Sequence, residues 1–570
     1  MSLKWCASLL PVAASFVLMP AVNAQTAPGN DWAQACMQQL VTREILPLYT
    51  DGTLRPGAAV TRAEFAAIAQ AAFDPTDPET SPLDPLSWST EYGFLAPLAA
   101  LEPQQPISRL EALVALANGL GYDLNPFAVV DLSQTFVDVD YIPAGDRPLV
   151  AAATQRRIVV NAANPQRLDP YRLASRAEVA SFICQAMVGV LPGGLVPQRY
   201  VAQADVPELR GVWLTNIDSE VLFSRESLTE AVTLLRQLNF NTLYPTVWNW
   251  GYTLYPSQVA EQAIARAVDP DPRLQGWDML QTTVELARQQ GMSVIPWFEF
   301  GFMTPSDSAL AYRNPEWLTN RRDGSRLYQQ GRHERVWLNP FHPEVQDFIL
   351  NLVVEVVTKY DVDGIQFDDH FGLPVEMGYD PYTVALYRQE HNGQDPPSDP
   401  HDPAWVRWRA DKLTAFVERL FRAVKRNNPK AILSLAPNPY HFAYPMSLQD
   451  WKRWQELGYV EELIVQVYRS DNERFLYELT EKDTDSARQH VPVAIGILTG
   501  LRGQGMPMNT IDTQVQAARN RGYAGVSFFF YESMWHWSEE PKDQRQQRFE
   551  LLFPTPADRP ELDAAPAIAW

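Results

Sequence analysis

The chemistry in this chain is concentrated in Asp361-Val-Asp-Gly-Ile-Gln-Phe-Asp-Asp-His-Phe371, an apolar run that ends in two adjacent carboxylates and an imidazole. Read with the two-residue period of a strand, Gly364, Gln366 and Asp368 share one face and Ile365 and Phe367 the other. Asp368 therefore stands at the carboxyl end, on the side of Gln366. Two enclosed carboxylates repel each other and lose hydration, which makes at least one a tighter proton binder and suits acid, base or nucleophile work. Asp after a strand is also ordinary turn chemistry, so the competing role for Asp368 or Asp369 is to cap a helix or hold a loop. For His370 a hydrogen bond within the loop is preferred over tuning of the acids.

Such a site needs a scaffold that ends several strands in one place. Eight short apolar runs, at 209–215, 242–248, 293–300, 364–369, 431–437, 463–468, 491–497 and 525–531, alternate with amphipathic helical segments such as 227–238, 277–290, 343–360 and 405–427. The count of eight, without a Gly-rich phosphate loop, predicts an α/β fold of the (β/α)8 TIM-barrel class over 207–555. The carboxyl ends of its strands then converge on one face. Placed there are Asn216 and Asp218, Trp248-Asn-Trp250, Trp297-Phe-Glu299, Asp368-Asp-His370, Asn438, Gln466 and Tyr468, and Tyr531-Glu532.

Acids for bond cleavage, amides for hydroxyls and flat rings for the apolar faces of sugars make this a carbohydrate site. Asp368 is the first catalytic candidate, with Asp369, Glu299 or Glu532 as its partner. An enclosed Glu299 beside Trp297 and Phe298 suits a general acid, which needs a raised pKa. Trp248, Trp297, Trp535, Asn438, Gln466, Tyr468 and His370 are the candidate substrate contacts. The eight His include no pair at the i, i+4 spacing of a helical metal site, and no Gly-x-Ser-x-Gly elbow is present. No metal or cofactor is expected.

A length of 570 residues calls for at least two domains, and 46% apolar residues with 17 Trp exclude a disordered chain. The net charge of −21 argues against nucleic acid or an anionic membrane surface as partner, while a neutral polymer is tolerated. Residues 1–24 carry Lys4, an apolar run at 9–19 and the small-residue site Val22-Asn-Ala24, the pattern of a secretory signal peptide. No later run approaches the ~18 apolar residues of a spanning helix. An exported protein of the periplasm or cell envelope, without a transmembrane span, is expected. Cys6 leaves with the signal; Cys36 and Cys184 then either pair, as export permits, or stay as buried thiols.

Residues 31–190 carry three drifting copies of one pattern, Thr61-Arg-Ala-Glu64, Ser108-Arg-Leu-Glu111 and Ser175-Arg-Ala-Glu178, each opening an Ala-rich helix. A capping box explains the hydroxyl and the Glu, because each satisfies a backbone N–H of the first turn. It leaves the Arg in all three copies unexplained. Ahead of the first copy stands the turn Tyr49-Thr-Asp-Gly-Thr-Leu-Arg-Pro56. Turn and box together resemble the S-layer homology repeat. The second copy lacks the Asp-Gly turn, and the third has Asn164-Pro-Gln-Arg-Leu-Asp-Pro170 in its place. The resemblance implies a mostly α-helical cell-wall anchor that binds a peptidoglycan-linked polymer, with Arg62, Arg109 and Arg176 as contacts. Residues 191–206 read as a linker and 556–570 as a loose tail.

Four stretches in order, Glu208-Leu-Arg-Gly-Val-Trp-Leu-Thr215, Asn241-Thr-Leu-Tyr-Pro245, Trp337-Leu-Asn-Pro340 and Asp363-Gly-Ile-Gln-Phe-Asp-Asp369, are similar to the bacterial glycosyl hydrolase-like family 10. That resemblance implies a glycosidase-related barrel acting on envelope glycan, including peptidoglycan strands. The last stretch also resembles a strand of α-amylase-like enzymes, which implies a nucleophile at Asp368, with Gln366 standing where those enzymes have Arg. The expected function is hydrolysis of a wall polysaccharide by two carboxyl groups. The alternatives are a wall-binding lectin built on the same barrel and a hydrolase of a non-wall polysaccharide.

Overall fold

The structure, a computed structural model, describes residues 30–561 except 75–82, 97–101, 123–126, 128–129, 189 and 192–193. The expected signal peptide with Cys6, and the end of the tail with Trp570, lie outside the described residues. Eight strands form the barrel of the larger domain: β1 (Leu209–Leu214), β2 (Thr242–Pro245), β3 in two pieces (Ser293–Val294 and Trp297–Phe298), β4 (Gly364–Asp368), β5 (Ile432–Ala436), β6 (Glu462–Gln466), β7 (Val493–Leu498) and β8 (Gly525–Phe529). All pair in parallel, in the order β2-β1-β8-β7-β6-β5-β4. β3 closes the ring, its first piece on β2 and its second on β4. The expected barrel is present, and each of the eight runs overlaps its strand.

The two-residue period decides what lines the interior. Leu209, Trp213, Tyr244, Ile295, Trp297, Ile464 and Ala494 pack together inside, while Ile365 and Phe367 join the shell between strands and helices. Gly211 is required there, because a Cβ would stand 2.6 Å from the Tyr244 ring. Gln366 bonds inside the barrel, accepting from Trp213 Nε1 at 2.7 Å and donating to Ser434 Oγ at 3.0 Å. The helix Pro343–Lys359 covers the shell with Val345, Phe348, Ile349, Leu352, Val353 and Val356, the stripe expected of a helix with one buried face.

The smaller domain explains the recurrent arginine. Its three capping-box segments meet in a ring of backbone bonds: Val60 N donates to Ala174 O, Ala174 N to Ile107 O, and Ile107 N to Val60 O. Around that ring each arginine reaches the box glutamate of another copy. Arg62 pairs with Glu111 at 2.5 Å, Arg109 with Glu178 at 2.6 Å, and Arg176 with Glu64 at 3.8 Å. Arg109 is fully buried and Arg176 is 2% exposed, so both serve this hub in place of the expected polymer contact; Arg62 keeps 22% of its side chain exposed. Cys36 and Cys184 form a disulfide that joins the first and third copies.

Two expected boundaries are corrected. The stretch read as a linker belongs to the repeat domain, since Leu191, Val196, Val201 and Ala202 are buried in its core and Val201 bridges Val160. The tail begins later than 556, because Thr555, Ala557 and Asp558 accept backbone or side-chain bonds at the barrel floor and Arg559 pairs there with Glu462. The repeats dock on that same floor, where Asn520 donates to Gln185 O. The mouth of the barrel is thus at the opposite end.

Candidate active site

Glu299 follows β3 by one residue, on the inward side set by Ile295 and Trp297. Its Oε2 accepts from Thr215 Oγ1 at 3.0 Å, Thr246 Oγ1 at 3.0 Å and Asn249 Nδ2 at 2.7 Å. Its Oε1 makes no hydrogen bond among the described residues. The side chain is 7% exposed, and burial, with the negative charge of Asp368 adding to it, pushes the carboxyl up to about 7 against the donors that oppose this. Glu299 is therefore partly protonated at neutral pH.

Asp368 lies across from it, because β4 pairs Phe367 with Phe298 and the next residues on the two strands are Asp368 and Glu299. Its Oδ2 accepts from Trp297 Nε1 at 3.2 Å and its Oδ1 from His370 N at 2.9 Å. Burial pushes it up to about 6, held back by the charge of His370. The imidazole donates Nδ1–H to Glu299 O at 2.9 Å and lies 3.4 Å from Asp368 Oδ1 and 3.8 Å from Asp369 Oδ1. Burial by itself would lower His370, but the carboxylates of Asp369 and Asp368 push it up to about 10. His370 thus stands among the acids as a cation, which is more than the loop bond expected of it.

Asp369 adjoins Asp368 and His370 and is held in addition by Asn438 Nδ2, donating at 3.1 Å, and Gln466 Nε2 at 3.3 Å. Tyr468 stacks on Phe529 at 5.0 Å and meets Trp213 edge-on, forming an aromatic wall beside the acids. Asp368, Asp369 and His370 bring ligand atoms within 4.8 Å of one another, one of two groupings among the described residues that could receive a cation, the other being His441, Glu478 and Glu481. The Nδ1–H that His370 gives to Glu299 O withholds that nitrogen from metal ligation. The loop after β4 is fixed by Trp337 Nε1 to Gly372 O and Gln449 Nε2 to Asp368 O.

Three expected site residues lie elsewhere. Trp248 is fully buried in the outer shell against Phe348, because β2 stops at Pro245 and the chain turns into a hairpin that swings the indole outward. Trp535 is 3% exposed and packs on Phe549 in the same shell. Glu532 accepts from Glu220 N, holding the loop after β1, and makes no contact with the acids. Thr215 and Thr246, which hold Glu299, were missed by sequence reading, while Asn249 lay within the Trp248-Asn-Trp250 stretch placed at the mouth but was not singled out. The signal was present for two of them: Thr215 and Thr246 continue the inward period of β1 and β2.

With this geometry in hand, residues 208–517 match the family described as Glycosyl hydrolase-like 10, more than half of the chain. The chain belongs to the glycosyl hydrolase-like 10 family. Residues 27–66 match the S-layer homology domain. Among curated proteins, glycosyl hydrolase DigH of Escherichia coli (strain K12) is 26% identical over 294 residues, which cover 47% of this chain and 63% of DigH. Glycosyl hydrolase YngK of Bacillus subtilis (strain 168) is 26% identical over 261 residues, covering 42% of this chain and 47% of YngK. The chain thus spans less than two thirds of either relative. Among solved structures, the PgaB (BpsB) glycoside hydrolase domain from Bordetella bronchiseptica aligns with a TM-score of 0.43 at 14% identity, over 57% of this chain and 94% of that one. The β-amylase catalytic domain from Paenibacillus polymyxa aligns with 0.44 at 11%, over 61% and 99%. No helix among the described residues is long and apolar enough to cross a membrane.

Proposed function

We propose that this protein is an exported glycoside hydrolase of the cell envelope that cleaves a wall polysaccharide, peptidoglycan glycan strands foremost, through two carboxyl groups. The observation that carries the reading is the cradle of Glu299. Three donors on Oε2 make that atom the carbonyl oxygen of the neutral acid, which leaves the proton on Oε1, the oxygen with no partner in the protein. A proton so placed is ready for the glycosidic oxygen of a bound sugar. As that bond breaks, positive charge grows on the sugar ring, and Asp368 is the carboxylate to meet it, as nucleophile or as base toward water. Trp297 and His370 fix its orientation.

Asp369, Asn438 and Gln466 supply acceptors and donors for hydroxyl groups, and Tyr468 a ring face for the sugar. Family membership supports the glycosidase class. The S-layer homology match supports a wall location, with Arg62 as the one recurrent arginine exposed enough to meet a polymer.

The test is release of reducing ends from peptide-stripped glycan strands by the full chain, beside Glu299→Gln and Asp368→Asn. Release by the parent and loss in both variants is the expected result. Binding without release would favour the lectin, and release from soluble glucans alone a non-wall substrate. Normal hydrolysis by Glu299→Gln would refute the assignment of the acid.

A further inference from the structure

A cavity of about 370 Å³ lies between the third repeat and the floor of the barrel, remote from the mouth. Its charged lining is unlike the rest of this acidic chain. Arg157 comes from the repeat domain, Arg210 from the start of β1 and Arg519 from the helix before β8. Glu208 is the one buried carboxylate among them, while Asp205 and Asp558 stand at the exposed rim.

One carboxylate cannot serve three guanidinium groups. Arg519 gives Nε to Oε1 and Nη2 to Oε2 of Glu208, and Arg210 gives Nε to the same Oε2 at 2.7 Å. Both oxygens of Glu208 are then taken. Arg519 is 5% exposed, yet its Nη1 is enclosed without a hydrogen-bond partner. The Arg157 guanidinium makes no hydrogen bond or ion pair among the described residues, although Arg519, Glu208 and Arg210 are its charged neighbours. Burial and the charge of Arg519 push it down to about 9, opposed by Glu208. Arg157 is only partly buried and presents its guanidinium to the cavity, while the enclosed N–H donor of Arg519, left without an acceptor, is the unfavourable one.

We propose that this cavity is an oxyanion site, formed jointly by the repeat and barrel domains, that takes a phosphate group through Arg157 and Arg519 Nη1. The planar, multiply donating guanidinium suits a phosphate with several acceptor oxygens. The volume falls near the lower end of the range for small-molecule pockets, about 300 to 1,000 Å³, so a phosphorylated monosaccharide or glycerol phosphate is of fitting size. The site stands independently of the chemistry at the mouth.

The test is calorimetric titration of the full chain, in chloride at fixed ionic strength, with inorganic phosphate and with glycerol 3-phosphate. The parent is expected to bind one equivalent saturably, and Arg157→Gln at least tenfold more weakly. Since Arg157 holds no other side chain in place, that variant is expected to melt like the parent in chloride. Should it fail to fold, the parent alone decides: its melting temperature must rise with phosphate at constant ionic strength. Tighter binding of glycerol 3-phosphate would point to an ester-linked phosphate, and tighter binding of inorganic phosphate to the free ion; either supports the site. No saturable binding of either compound, or equal affinity in Arg157→Gln, would overturn it.

Discussion

Glu299 and Asp368 share one enclosed space but hold protons differently, and that difference sets the expected pH dependence. Turnover needs Asp368 ionised, which holds above about 6, and Glu299 protonated, which holds below about 7. The expected kcat/KM profile is a narrow bell between those values, and its limbs report the coupled pair. Thr246→Val removes a donor that favours the ionised acid, so the alkaline limb should move upward. Glu299→Gln is expected to lower kcat by about 10² to 10⁴, the usual worth of a positioned general acid. The same variant should be more stable. An acid raised above its usual 4.5 binds its proton more tightly when folded, so the native state is favoured fully below 4.5 and loses that advantage as pH rises to about 7. The gain in Glu299→Gln should therefore grow across that window and level off above it, at about 3 kcal/mol at most. Thermal melts at pH 4 and pH 8 would check the sign.

At the scale of elements, the hub of the repeats shows how far a local motif can be read. The Thr or Ser of each copy bonds three residues on, and the Glu reaches back in the first and third copies, so those roles were legible; in the second copy Glu111 turns to Arg62 instead. The arginines bond to partners 49, 69 and 112 residues away, which no local pattern displays. The two best-formed pairs differ in burial, and this gives a test. Glu178 is 6% exposed and receives Arg109 and Arg172, whereas Glu111 is 33% exposed. Glu178→Ala is expected to cost about 3 to 5 kcal/mol, because it leaves Arg109 buried and unpaired. Glu111→Ala should cost about 1 kcal/mol or less. Calorimetric unfolding of the full chain would separate the two.

Across the whole molecule, the barrel turns one end to chemistry and the other to the repeats. Its floor is closed by buried carboxylates away from the mouth: Glu462, paired with Arg559 and accepting from Tyr244 and Ser434, and Glu208, paired with Arg210 and Arg519. The segment around 555–559 is thus part of the domain. Arg559→Ala should leave Glu462 enclosed without its cation and destabilise the barrel by about 3 to 5 kcal/mol. A fall in melting temperature with hydrolysis unchanged at lower temperature is the expected outcome. An unchanged melt would mean that the floor does not depend on that pair.

The sequence by itself determined the strand count, the inward face of β4 and the grouping of Asp368, Asp369, Glu299, Asn438, Gln466 and Tyr468 at one end. Strand alternation and parallel closure leave little freedom for residues that follow strands on the inward face. Only the tertiary structure decided which side chains leave that face. Trp248 and Trp535 turn into the shell because their strands have ended, and outside a regular strand the period no longer fixes direction. It also decided protonation. The cradle on Glu299 joins Thr215, Thr246 and Asn249 from two other strand ends, and the Asp368 charge that adds to its raised pKa comes from a third. Burial and through-space charge depend on distances between segments far apart in sequence, and the fold alone sets those distances.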